Sequence, residues 1–174
     1  MKFNFKYFFA ATFSAILFLL ISCGRDDDSL QRIDQIMNIY VTNGAGQDLL
    51  NAKKPGSYTG YAVNDINGDK DISPVPISLK MTTDSLYYFE YIAGAKRIVF
   101  DSISPDSKNF RSRMTFTYSK KVGDQTVTES DVMEVHYRWT PSLFQVSEVL
   151  YNGNPVFSKG ADEPNSINKV TIVK

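Results

Sequence analysis

Cysteine, histidine and tryptophan each occur once in this chain of 174 residues. A single cysteine excludes an internal disulfide and a multi-thiolate zinc site, so the body must hold together by core packing. A single histidine, His136, leaves one residue for any imidazole chemistry. It alternates with Glu134 and Arg138 on the polar face of its segment, a pattern that fits a solvated sheet surface at least as well as an active site. No GxSxG elbow, HExxH pair or phosphate loop is present. Excess charge is also lacking: 19 basic residues balance 19 acidic ones, with no basic patch or recognition motif for nucleic acid. Nor is there a hydrophobic run of membrane-spanning length. FFAATFSAILFLLI, residues 8–21, falls short of the roughly 18 apolar residues that a stable span needs, and Arg25, Asp26, Asp27 and Asp28 end it abruptly.

What that run does match is a secretory signal: Lys2 and Lys6 without an acid, then apolar and small residues. Its last residues and the one cysteine, Leu20-Ile21-Ser22-Cys23, resemble the lipobox of bacterial lipoproteins. The resemblance implies a diacylglyceryl thioether on Cys23, cleavage just before it and acylation of the new amino terminus. The chemistry needs a nucleophilic sulfur beside a small residue. Two or three acyl chains anchor stably, at about 0.8 kcal/mol per buried methylene, where one chain holds only marginally. The following Gly24-Arg25-Asp26-Asp27-Asp28 is similar to the acidic export signal of Bacteroidota surface lipoproteins, which implies the outer leaflet of the outer membrane. An ordinary solvated tether is the plainer reading of the same carboxylates. Three segments follow: a signal peptide (1–22), a lipidated acidic tether (23–29) and one folded domain (30–174). Removal of residues 1–22 takes away two lysines and no acid. The tether reaches on the order of 15 Å, so the domain is expected close to the membrane.

Alternation dominates the rest. In FRSRMTFTY, Phe110, Met114, Phe116 and Tyr118 share one face; in VMEVHYRW, Met133, Val135, Tyr137 and Trp139 do. Gly123-Asp124 between them suits a hairpin turn, and Asn152-Gly153 within LFQVSEVLYNGNPVF suits a type I′ turn. Further strands are expected over 37–42, 58–63, 76–82, 86–92, 98–103 and 170–173, separated by turn clusters such as NGAGQD and NGDKD. Eight or nine short strands predict an all-β, antiparallel two-sheet β-sandwich, immunoglobulin-like or related, with a barrel as the alternative. Ser29 could cap a helical turn in which Leu30, Ile33 and Ile36 or Met37 share a face, or the segment could run extended. NGAGQDLLN followed by KKPGSY resembles the start of small Bacteroidota lipoproteins of uncharacterised function, a likeness that implies no activity.

Three patterns could carry chemistry. Asp65, Asn67, Asp69 and Asp71 recur at every second position, as the oxygen ligands opening a calcium loop do. Against this, Lys70 stands where the loop's glycine belongs and Pro76 where its glutamate belongs, so an acidic turn is the competing reading. LYYFEY places Tyr87, Phe89 and Tyr91 on one face as a potential platform for a glycan or protein, or as one side of a strand covered on both faces. Ser29, Ser85 and Ser102 each sit in an Asp-Ser-aliphatic triplet that resembles the O-glycosylation acceptor of Bacteroidota secretory proteins, the latter two only if they lie on loops. The expected function is a membrane-anchored surface lipoprotein that binds a glycan, a protein or an outer-membrane complex, without enzymatic activity. An acidic-residue hydrolase, with calcium if any cofactor, and a structural envelope lipoprotein without ligand are the alternatives.

Overall fold

The structure, a computed structural model, describes residues 30–174. Among the described residues eleven strands run β1 (Arg32–Asp34), β2 (Met37–Thr42), β3 (Gly60–Asp65), β4 (Ser78–Met81), β5 (Tyr87–Tyr91), β6 (Ile98–Ser104), β7 (Ser107–Val122), β8 (Gln125–Thr140), β9 (Leu143–Tyr151), β10 (Asn154–Ser158) and β11 (Asn168–Val173). Sheet A has the order β1-β9-β8-β7-β3, with β10 also on β9 and β6 also on β7; sheet B has the order β11-β2-β5-β4. The two-sheet, all-β class expected from the alternation is the one adopted, with sheet A curled as a half-barrel. Two of the pairings, β1 with β9 and β11 with β2, are parallel, so both sheets are mixed rather than wholly antiparallel.

The long hairpin β7–β8 forms the middle of sheet A, in register from Lys108 opposite Trp139 to Val122 opposite Gln125. Its turn is the expected one: Gly123 takes a positive φ of 61°, which a two-residue hairpin loop demands of one of its residues. The inward residues Met114, Phe116, Tyr118, Met133, Val135 and Tyr137 are all wholly buried. They face Met37, Ile39 and Val41 of β2, Phe89 and Tyr91 of β5, and Val170 and Ile172 of β11 in one continuous core. Phe89 and Phe116 meet across the sandwich with ring centroids 6.2 Å apart.

In β9, one residue more than its partner carries stands between the pairs His136–Glu148 and Tyr137–Val146, a bulge. This is why the inward positions change phase, from Phe144 and Val146 to Val149 and Tyr151. The hairpin to β10 turns on Asn152 (φ 49°) and Gly153 (φ 81°), the two positive values a type I′ turn requires. Each rim of sheet A is shared by two short strands in tandem: β1 and β10 along β9, and β3 and β6 along β7.

The segment before β2 is extended and not helical. Arg32 to Asp34 pairs with Leu143 to Gln145, and the spacing of Leu30, Ile33 and Ile36 leaves those three side chains exposed. Strand pairing with β9 here outweighs a weak helical periodicity in a segment too short to support a helix alone. NGAGQDLLN folds as a tight connection after β2. The buried Asp48 carboxylate accepts the Leu50 amide at 2.8 Å and the Tyr87 amide at 2.9 Å, which pins the turn to β5.

Asp34 at the end of β1, Lys159 just after β10 and Asn168 at the start of β11 form a buried polar cluster joining the two sheets. The strongest dependence of the fold is nonetheless apolar. Phe116→Ala removes a ring with no exposure from between the sheets and is expected to cost about 3–5 kcal/mol, read as a lower urea midpoint at unchanged slope.

Candidate functional site

The residues singled out from sequence scatter over the molecule. Cys23, Asp26–Asp28 and Ser29 lie outside the described residues. Phe89 and Tyr91 are wholly buried and Tyr87 half-buried, so the LYYFEY face is part of the core and is not an exposed aromatic platform. The opposite face of β5 carries Tyr88, whose ring lies 5.5 Å from that of Tyr40.

The acidic loop is an ordinary turn. Asp65 is buried, and its carboxylate accepts the amides of Asn67 at 2.9 Å and Lys96 at 2.5 Å. Asp69 instead pairs with the Lys96 ammonium at 2.5 Å, which holds its carboxyl below the usual range. The carboxylates of Asp65 and Asp69 are thus committed to protein donors, and among the described residues no three acidic, histidine or cysteine side chains converge as metal ligands. The calcium expectation for Asp65, Asn67, Asp69 and Asp71 is therefore replaced by a hydrogen-bonded turn.

Ser85 sits exposed at the β4–β5 turn with φ 63°, on a loop as its pattern required; Ser102 is exposed but lies within β6. His136 is on the outer face of sheet A. Its ring nitrogens lie 2.7 Å from Glu134 and 3.0 Å from Glu148, in a ladder completed by Arg113 at 3.2 Å from Glu134. These polar contacts tie β7, β8 and β9 together on the outer face of the sheet.

A different set converges at the open end of the sandwich. Going down β8 towards its hairpin tip, the inward positions after Met133 are Asp131 and Glu129, two carboxylates in phase with the core. Across from them β7 presents Tyr118, β9 presents Tyr151, and the connection pinned by Asp48 presents Tyr58, whose amide donates to Leu49 at 2.8 Å. Lys174 follows β11, with its amide on the Thr42 carbonyl at 2.8 Å. Its ammonium pairs with Asp131 and, at 2.9 Å, with Glu129, and lies 4.8 Å from the Tyr118 ring centroid and 5.5 Å from that of Tyr151. The Tyr58 hydroxyl donates to Glu129, and Tyr151 donates to Asp131 at 2.8 Å.

Burial, followed by the adjoining carboxylates and hydroxyls, pushes the Tyr58 and Tyr151 phenols far up; burial does the same to Tyr118. All three stay protonated, Tyr58 and Tyr151 as donors and Tyr118 as the acceptor of the Tyr151 hydroxyl at 3.4 Å. Glu129 is held below its ordinary value, first by the Tyr58 hydrogen bond and then by Lys174. Burial alone would raise Asp131, but hydrogen bonds from Lys174, Asn152 and Tyr151 outweigh it and the net shift is downward.

Tyr58 lines two cavities. One, of about 490 Å³, is polar and includes Asn43, Lys120, Glu129, Asp131 and Lys174. The other, of about 260 Å³, is apolar, with Leu50, Ala52, Tyr61, Leu79 and Phe89 in its walls. Tyr61 is the partly exposed ring here, 4.5 Å from Phe89. An apolar slot beside a few fixed polar groups is the usual composition of a small-ligand site. Sequence reading passed over this cluster. The signal was available in TESDVMEV, where Glu129 and Asp131 occupy the same parity as Met133 and Val135 and so had to point inward.

Compared with protein-family models, curated proteins and solved structures, the chain matches none.

Both carboxylates titrate lower in the folded chain than in the unfolded one. Their stabilisation is complete above the ordinary carboxylate range, about 4, and fades as pH falls through the lower folded values. Lys174→Met is therefore expected to lose about 1–2 kcal/mol at pH 7, a figure kept small because Glu129 is partly solvated. The gap between variant and parent should close in urea unfolding series taken towards pH 3.

Proposed function

We propose that the chain is a lipid-anchored protein of the bacterial outer membrane, displayed at the cell surface, whose sandwich domain binds a ligand at the cleft around Tyr58. The anchor rests on Leu20-Ile21-Ser22-Cys23 after its apolar run, and surface display on the resemblance of Asp26–Asp28 to an export signal. The binding reading is carried by one observation: an apolar slot and a charged cleft meet at a single tyrosine at the open end of the core.

Among ligands, a glycan fits this chemistry best. Sugars present an apolar ring face for an exposed aromatic side chain such as Tyr61, and hydroxyls that donate to carboxylates and accept from ammonium and phenol groups. Binding is favoured over hydrolysis because Glu129 and Asp131 are shifted in the same direction. Glycoside hydrolysis needs one carboxyl raised to act as acid while its partner stays ionised. A protein partner in an outer-membrane complex is the second reading, favoured by β6, where Ile98, Val99, Phe100 and Ile103 are all exposed on a sheet edge.

Two measurements test these readings. Cells fed a clickable fatty acid should label the full chain, and Cys23→Ala should abolish the label and release the protein from membranes; an unlabelled, freely soluble parent would end the anchor reading. On a glycan array, the detergent-solubilised protein should retain a subset of glycans, with Tyr61→Ala weakening retention by about tenfold, equivalent to about 1.4 kcal/mol. An empty array together with a protein that co-purifies through β6 would transfer the function to the second reading.

A further inference from the structure

Asp34, Lys159 and Asn168 contain more than an ion pair requires. The side chains of Lys159 and Asp34 are 3% and 1% exposed, and Asn168 is buried beside them. Lys159 Nζ lies 2.5 Å from Asp34 Oδ2 and 3.2 Å from Asn168 Oδ1. The Asn168 carboxamide nitrogen donates to the other Asp34 oxygen, Oδ1, at 3.0 Å and to the Ile36 carbonyl at 3.1 Å. One carboxylate therefore bridges an amine and the nitrogen of a carboxamide, while the same amine polarises that carboxamide's oxygen.

This is the arrangement of a nucleophile, an electrophile and a proton carrier in contact within a buried site. We propose that the domain cross-links itself, Lys159 to Asn168, through an isopeptide bond formed with Asp34 as the catalytic residue. Asp34 Oδ2 takes a proton from the Lys159 ammonium, and the freed amine attacks Asn168 Cγ. The Nζ–Cγ bond forms, and the bond from Cγ to Nδ2 breaks as Asp34 delivers a proton to the departing nitrogen. Ammonia leaves with the remaining proton as ammonium, and Asp34 returns to the carboxylate. One ammonium and one carboxamide become one secondary amide and one ammonium ion, so no oxidant or co-reactant is needed. A cavity of about 230 Å³ bordered by Asp34 and Ser166 provides an exit.

Asn168 is the electrophile and not Asp34, because only a free carboxylate in the Asp34 position touches both the entering and the leaving nitrogen. The bond joins the end of β10 in sheet A to the start of β11 in sheet B, giving a chain without a thiol pair a covalent tie between its layers.

Tandem mass spectrometry of the full-length protein tests this directly. Trypsin does not cut after an acylated lysine, so residues 139–169 should emerge as one peptide lighter than its sequence by one ammonia. A second cut before Asp162 should open the ring and leave the two halves joined. Separate peptides ending at Lys159 and starting at Gly160, at full sequence mass, overturn the proposal. So does an ammonia loss at Asn168 with Lys159 still cleavable, which marks a succinimide, and so does a water loss joining Lys159 to Asp34. Asp34→Ala and Lys159→Arg should both return the unlinked peptides; a link persisting in Asp34→Ala would remove Asp34 from the reaction.

Discussion

The inward face of the β7–β8 hairpin is the surface on which the rest of the molecule is assembled. Two strands of 16 residues, locked by their register, present Met114, Phe116, Tyr118, Met133, Val135 and Tyr137 as one apolar wall. Sheet B has no comparable strand; its four members are short, and β2, β5 and β11 bury alternate side chains against that wall while β4 is exposed along its length. At one end of the wall the same alternation continues as Asp131 and Glu129. The inward direction is then imposed on carboxylates, and burying charge there without partners would be costly. Tyr58, Tyr151 and Lys174 supply the partners from three other parts of the chain. The polar cleft is therefore a direct result of a strand being longer than the core it covers.

Two polar clusters at different places in the sandwich do opposite things with buried charge. Around Lys174 the groups remain in contact with a cavity and keep their protons fixed, the Tyr58 and Tyr151 phenols as donors and the carboxylates as acceptors, which suits recognition. Around Lys159 the groups are almost wholly buried, and the proton has a short route between reacting atoms, which suits a single irreversible change in the protein itself. The difference lies in solvent access and in the presence of a carboxamide, not in the charge count.

Much of the architecture was legible because period-two alternation is a strong signal where one face of a strand is buried. Both hairpin turns were readable from Gly123-Asp124 and Asn152-Gly153, which supply positive φ cheaply. What escaped was set by non-local pairing. The parallel contact of β1 with β9 has no turn of its own to announce it, and Arg32-Ile33-Asp34 alone carries no strand signature. The LYYFEY strand misled for a related reason: an aromatic run looks the same whether its ring faces meet solvent or another sheet. In NDINGDKD the spacing of oxygens was real, but Lys96, brought in from a distant loop, claims two of them. The cleft was in principle half visible, since Glu129 and Asp131 share parity with the core, while Tyr58 and Lys174 reach it only through tertiary structure.

The tandem rims of sheet A have a consequence for how copies of the molecule can coexist. A row of unpaired backbone groups invites another chain to add a strand, and the invitation grows with the length of straight edge on offer. Here β1, β10, β3 and β6 are 3, 5, 6 and 7 residues long, so each side of the sheet is interrupted midway and the template is broken into short pieces. Along sheet A of the described domain, crowded neighbours would find only short, interrupted borders along which to zip, so this sheet offers little template for joining one copy to the next.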